Sequence, residues 1–328
     1  MVIHIRRRKK SGKALLVLVA LVGSMTFIFG LSQASLAASV KQKTFASPDE
    51  AVTAFIDALQ ASDMKELMAI FGPTADDLIS SGDEVSDRTE RELFLQLYGQ
   101  KNKLAEEGFG RVILYAGNDD WPFPIPITRE GNHWRFNAQA GEEEILNRRI
   151  GKNELNTIQV CLAMVDAQRE YALKDWDGDG LLAYAQKFGS TKGKKDGLYW
   201  EAKEGEEQSP LGPLAARAVS EGYTGRKPGD KPVAYYGYYY RILKAQGKNA
   251  PGGEYDYVVN GKMFGGFAVV VYPAQHGNSG VMTFILNHDG VVYQKNLGRN
   301  TAKMAEAMKK FDPDNTWQKV EGGTISAQ

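Results

Sequence analysis

Midway along the chain, residues 148–190 hold an amphipathic stretch that any fold of this sequence must accommodate. Arg148-Arg149-Ile150-Gly151-Lys152-Asn153-Glu154-Leu155 opens it, and Leu155, Ile158, Leu162 and Val165 recur at helical spacing. That spacing predicts one buried stripe. Asp166, Gln168, Arg169 and Glu170 fall mostly off the stripe and suit water. Asn153 is the expected N-cap, and Asp175-Trp176-Asp177-Gly178-Asp179-Gly180 supplies the stop. A helix with one apolar side needs a surface to bury it against, so the flanking regions must provide cores.

Ahead of that helix, Ser47-Pro48-Asp49-Glu50 is a capping box with proline at the first helical position, followed by an apolar face of Ala51, Val52, Phe55, Ala58 and Leu59. Asp63 caps a second helix carrying Leu67, Ile70 and Phe71, which Gly72-Pro73 ends. A third helical stretch is expected over 88–103, burying Leu93, Leu97 and Leu104. Strand-like runs follow at 111–115, 123–128 and 133–138. Trp121-Pro122-Phe123-Pro124-Ile125-Pro126 must be an extended edge, because proline cannot donate to a ladder. Gly141 to Arg149 then joins the halves, and Glu144 and Arg148, four apart, suit a solvated ion pair. The other reading of Arg148 and Arg149 is an anion clamp.

Beyond residue 190 come Asp196-Gly197-Leu198-Tyr199-Trp200, a turn at Ser209-Pro210-Leu211-Gly212 and a short helix at 215–221. Strands are expected at 233–243, 264–272, 281–286 and 291–294, with Gly277-Asn278-Ser279-Gly280 and His288-Asp289-Gly290 as hairpin turns. A helix at 301–310 and a polar tail close the chain. The expected class is α+β in two domains: helices and a curled antiparallel sheet over 45–147, and the long helix with an antiparallel meander over 148–320. Residues 1–37 precede them and 321–328 form the tail.

The first 37 residues read as a secretory leader of general type. Arg6, Arg7, Arg8, Lys9, Lys10 and Lys13 lead into the apolar run from Ala14 through Phe29, and Ser35-Leu36-Ala37 fits cleavage after Ala37. An uncleaved membrane anchor is the alternative, and the only membrane contact foreseen. Six of the 40 basic residues and none of the 40 acidic ones lie in this leader, so the remainder carries 34 against 40, a net charge of −6. Such a body has no electrostatic footprint for nucleic acid. Cys161 is the lone cysteine, which excludes an internal disulfide and fits a small hydrophobe beside the stripe.

Helices before a curled sheet, opened by Ser47-Pro48-Asp49-Glu50-Ala51-Val52 and restarted at Ser62-Asp63, resemble the nuclear-transport-factor-2-like superfamily. The resemblance implies a cone-shaped fold and no particular activity, since members include enzymes and binding modules. The second half, with Ala167-Gln168-Arg169-Glu170-Tyr171 ahead of a loop and a meander, resembles the globular heads of type IV pilin-like proteins. No hydrophobic spine is attached to this helix, so only head topology is implied. Across the mature chain, the motifs 121–126, 148–155, 196–200, Ser209-Pro210-Leu211-Gly212-Pro213-Leu214 and Gly280-Val281-Met282-Thr283-Phe284 are similar to an exported bacterial family known as domain of unknown function 2950. That implies a protein of the bacterial envelope, periplasmic or secreted, and carries over no catalytic residue.

Two candidate sites stand out. Asp175, Asp177 and Asp179 alternate in a glycine-rich turn and point to a hard cation such as Ca²⁺, the one cofactor foreseen. They match positions one, three and five of an EF-hand loop and Gly180 its sixth, but Ala183 and Gln186 stand where later ligands belong. A plain turn after a helix uses the same residues, so both readings remain open. Tyr236, Tyr238 and Tyr240, with Tyr199 and Trp200, make a candidate face for carbohydrate or peptide; half-buried sheet pairs are the alternative. Outside the leader the histidines are His133, His276 and His288, and no glycine-rich phosphate loop, zinc spacing or dinucleotide fingerprint occurs. The sequence thus favours a non-enzymatic envelope module that binds a protein or surface polymer. Its rival is a hydrolase with a carboxylate acid/base pair drawn from residues such as Asp119, Asp120 or Asp175.

Overall fold

Ser47 begins the first helix as its chemistry requires, with its hydroxyl accepting from the Glu50 N–H at 3.1 Å. The Glu50 carboxylate reaches back to the Ala46 N–H at 2.8 Å, closing the entry. The structure, a computed structural model, describes residues 41–176, 178–203, 205–223 and 233–324. The leader, Asp177 and the last four residues of the tail lie outside them.

Helix α1 (Pro48–Gln60) buries all five expected side chains, and α2 (Met64–Phe71) starts on the Asp63 carboxylate. After the short α3 (Asp76–Ile79), α4 (Glu84–Gln100) begins a turn earlier than expected, because Asp83 accepts from the Ser86 N–H and caps it. It also ends earlier, since Asn102–Glu106 is strand β1. Leu93 faces water, and Phe94 beside it packs on the core instead. Strands β2 (Arg111–Ala116), β3 (Trp121–Pro122), β4 (Ile127–Glu130) and β5 (His133–Phe136) complete an antiparallel sheet of order β1-β2-β4-β5, with β3 on β2. The prolines cut β3 to two residues, and the alternate positions Phe123 and Ile125 face the core.

Helix α5 (Ala138–Tyr171) corrects the expected start at Asn153. Its N-cap is Asn137, and Asn153 lies buried in the middle of 34 helical residues. Of the expected stripe, Val165 is fully buried and Ile158 and Leu162 pack on the second core, but Leu155 is 68% exposed, and Gln168, expected in water, is fully buried. Its amide bonds both backbone groups of Ala185, which satisfies a polar side chain inside a core. Cys161 is fully buried, and desolvation pushes its thiol well above the ordinary range, so it packs as a hydrophobe.

Helix α6 (Gly212–Ser220) precedes β6 (Tyr238–Leu243), which starts five residues later than expected because Tyr236 and Gly237 turn with positive φ. Four two-residue strands follow: β7 (Ala245–Gln246), β8 (Tyr255–Asp256), β9 (Val258–Val259) and β10 (Lys262–Met263). Then come β11 (Ala268–Pro273), β12 (Met282–Asn287), β13 (Val291–Asn296), α7 (Thr301–Ala307) and β14 (Gln318–Thr324). The second sheet is antiparallel in the order β14-β13-β12-β11-β6, with the two expected turns joining β11 to β12 and β12 to β13. The chain is α+β. Two hydrophobic clusters form, one from α1, α2 and the first sheet, the other from the second sheet and the end of α5.

Candidate functional site

One continuous stripe explains α5. Ala138, Gly141, Ile145, Arg149, Asn153, Thr157, Cys161, Met164, Gln168 and Tyr171 follow one another at steps of three and four. Its first residues face the first core, its last residues the second, and its polar middle lies between them. There Arg149, only 8% exposed, donates from Nη1 to the Asp77 carbonyl at 2.5 Å and from Nη2 to the Leu78 carbonyl at 2.8 Å. Nη1 also reaches Asn278 Oδ1, in the β11–β12 turn. Asn153 donates to the Ser279 carbonyl at 3.0 Å, and Glu154 accepts from the N–H groups of Val281 and Met282 at 2.9 Å each. One helical face therefore reads the backbone of a single hairpin.

The start of α4 completes this polar seam. Asp83 accepts from the Tyr223 hydroxyl at 2.8 Å and from the Gly237 N–H at 3.0 Å. Gly237 is required: its φ is +73°, and a Cβ there would lie 2.7 Å from the Asn153 amide nitrogen. Asp87 accepts from the Ser81 N–H at 2.9 Å, and burial raises its carboxyl above the ordinary range. Burial likewise pulls the Arg149 guanidinium down, against the opposing charges of Asp87, Glu90 and Asp77.

On the first-core side of the seam lies a cavity of about 210 Å³. Rings make much of its wall. Phe55 stands 5.1 Å from Phe123 and Phe94 5.2 Å from Phe123, with Trp121 6.3 Å from Phe94. Asp87, Glu90, Arg91 and Arg149 supply its charged lining. A second hollow of about 310 Å³ shares Phe94, Trp121, Ile145 and Arg149 with it, so the two adjoin. An apolar chamber with a few convergent polar groups is the usual form of a small-molecule site.

The motifs 121–126, 148–155 and 280–284 thus meet at one place: cavity wall, seam and docked hairpin. The family described as protein of unknown function (DUF2950) matches residues 42–320. The chain belongs to that family. No curated protein and no solved structure matches it.

Of the residues singled out from the sequence, Arg149 lines this cavity and Arg148 the adjoining hollow, whereas the aspartates and the aromatic face do not line either. Asp175 accepts from the N–H groups of Gly178 and Gly180 at 2.8 Å each, and Asp179 pairs with Lys262 at 2.6 Å. Among the described residues, no group of three or more potential metal ligands converges. Tyr238 is fully buried with its hydroxyl 3.3 Å from Glu154, Tyr236 gives its hydroxyl to Glu221 at 2.7 Å, and the Tyr240 hydroxyl lies 3.2 Å from the Tyr235 carbonyl. Trp200 packs on Trp176 at 4.8 Å, and Tyr199 beside it in sequence is exposed. Asp120 is held by Lys101 and Lys103 at 2.9 Å each, which lower its carboxyl, while Asp119 is exposed. Arg148 pairs with Glu144 at 2.6 Å and lies over the Trp121 ring. Sequence reasoning missed the cavity, whose one visible signal was Trp121-Pro122-Phe123 set against the helical faces of Phe55 and Phe94.

Proposed function

We propose that this protein is an exported binding module of the bacterial envelope, and that its first core encloses a small apolar ligand. The observation that carries this reading is the ring-walled cavity beside Arg149 and Asp87. An apolar cavity of about 150 Å³ already accommodates a benzene-sized guest, so about 210 Å³ suffices for a small ring or a short chain. Export rests on the basic-then-apolar leader, with cleavage after Ala37 as part of the proposal. The resemblance of the first half to the nuclear-transport-factor-2-like superfamily enters here too, supported by helices and a sheet enclosing a hollow. Binding is favoured over hydrolysis because Asp119, Asp120 and Asp175 do not share this cavity, and Asp120 and Asp175 already have partners.

Thermal unfolding with added indole tests the reading. A ligand bound only by the native state stabilises it by mass action, by about 2.7 kcal/mol at one hundred times its dissociation constant, and so raises the midpoint. The expected result is a saturable rise that Ile145→Phe abolishes, because that ring fills the wall common to both hollows. An unchanged midpoint at millimolar indole would overturn it.

A further inference from the structure

The cavity's charged lining is not evenly satisfied. Arg149 spends its terminal nitrogens on Asp77, Leu78 and Asn278, and Lys152 pairs with Glu90 at 3.0 Å. Arg148 pairs with Glu144. Arg91 is different. It stands one turn after Asp87 on α4, half-buried against the cavity, and makes no hydrogen bond or ion pair among the described residues. A guanidinium carries five donors in a planar fork, and removing them partly from water without hydrogen-bond acceptors costs free energy; the Asp87 carboxylate one turn away acts on Arg91 through charge alone. Beside it, Arg149 keeps its Nε donor buried and unpartnered on the same cavity. Two cationic groups with donors to spare therefore border an apolar chamber, while its carboxylates are engaged: Asp87 with the Ser81 N–H and Glu90 with Lys152.

We propose that the ligand is an amphiphilic acid: a short apolar body that lies among the phenylalanines and a single anionic head that Arg91 receives. This inference rests on the cavity reading of the preceding subsection and adds the charge of the ligand to it. The guanidinium matches a carboxylate or phosphate in two parallel hydrogen bonds, which a neutral alcohol or amide cannot offer as fully. The ring wall sets the rest of the ligand as hydrocarbon or aromatic, since a polar body would lose its water there without replacement.

Calorimetric titration of the full chain with octanoate and with octan-1-ol separates the two readings. The expected result is that octanoate binds at least tenfold more tightly than octanol, and that its affinity falls with added salt. Arg91→Gln then loses most of the octanoate affinity while leaving octanol unchanged, and Arg91→Lys restores part of it. The unchanged octanol binding also shows that the variant folds. Equal affinities for acid and alcohol, or octanoate binding indifferent to Arg91→Gln, would overturn this inference and leave the cavity reading standing. Failure of both ligands to bind would overturn both readings. Capture of a synthetic peptide of residues 14–29 in place of octanoate would assign the chamber to the chain's own leader, against this proposal.

Discussion

Around Phe55 the rings of the first core stand apart and line a hollow, whereas around Val270 the second core, which buries tyrosines and phenylalanines of its own, packs three valines of one strand between two others. Phe55, Phe71, Phe94, Phe123 and Phe136 meet at tilted and edge-on angles with centroids 5.1 to 6.4 Å apart. Rigid rings in that arrangement line a hollow. In the second core all six residues of β11 are buried, with Val269, Val270 and Val271 between β6 and β12. Both faces of that strand are covered, and α5 and α7 both pack on its sheet. In the first core the rings around Phe55 line a hollow, while in the second the strand around Val270 is covered on both faces. The polar seam on α5 ties them together.

The largest way to break this comparison is to cut the tie. Arg149→Met leaves the Asp77 and Leu78 carbonyls and Asn278 without their donor, and each buried acceptor left unsatisfied costs about 1–3 kcal/mol. Urea unfolding should show that loss, with the two cores of the variant melting in separate transitions. Next comes the reader of the hairpin. Gly237→Ala forces a side chain into positive φ against Asn153, a cost of about 1–3 kcal/mol in the same measurement.

Overpacking then sharpens the contrast between the cores. Val270→Phe in the filled core should destabilise by about 1–3 kcal/mol. Ile145→Phe, at the wall of the hollow, should instead stabilise by about 0.5–2 kcal/mol. Equal losses at both sites would contradict the difference in packing.

The smallest effect concerns the surface loop after α5. Burial works against the Asp196 carboxylate, but the Lys187 ammonium and the Thr191 N–H and hydroxyl hold it down at about 2. A carboxyl lower in the folded state stabilises above its unfolded value of 3.8, and that stabilisation fades as pH falls toward 2. The side chain is 37% exposed, so solvent screening limits the contribution to about 0.5 kcal/mol. Asp196→Asn should lower stability by that amount at pH 6 and by nothing near pH 2, read from urea midpoints.

Elements with a local signal were legible in the sequence. Ser47 and Asp63 cap the helices they were expected to cap, and both glycine-bearing hairpin turns lie where their residues indicated. Helix α5 was legible only at its C-terminal half. Its stripe is apolar at both ends and polar at Arg149, Asn153 and Thr157, so hydrophobic periodicity breaks where the helix does not. Asn153 reads as a cap by residue type, yet its amide is consumed by Ser279, 126 residues away in sequence. The same distance hid the cavity. Phe55, Phe94 and Phe123 look like ordinary core positions one at a time, and the space between them is a property of the packed sheet. Asp175 and Asp179 drew attention because they are close in sequence, but Asp175 bonds the backbone of its own loop and Asp179 reaches Lys262 on the distant strand β10.

Crystals held under xenon test the central contrast most directly, because xenon enters apolar cavities without needing a polar partner. Xenon should bind among Phe55, Phe94 and Phe123, with none in the sheet core around Val270. Xenon missing from the ring-walled chamber, or present in both cores alike, would contradict it.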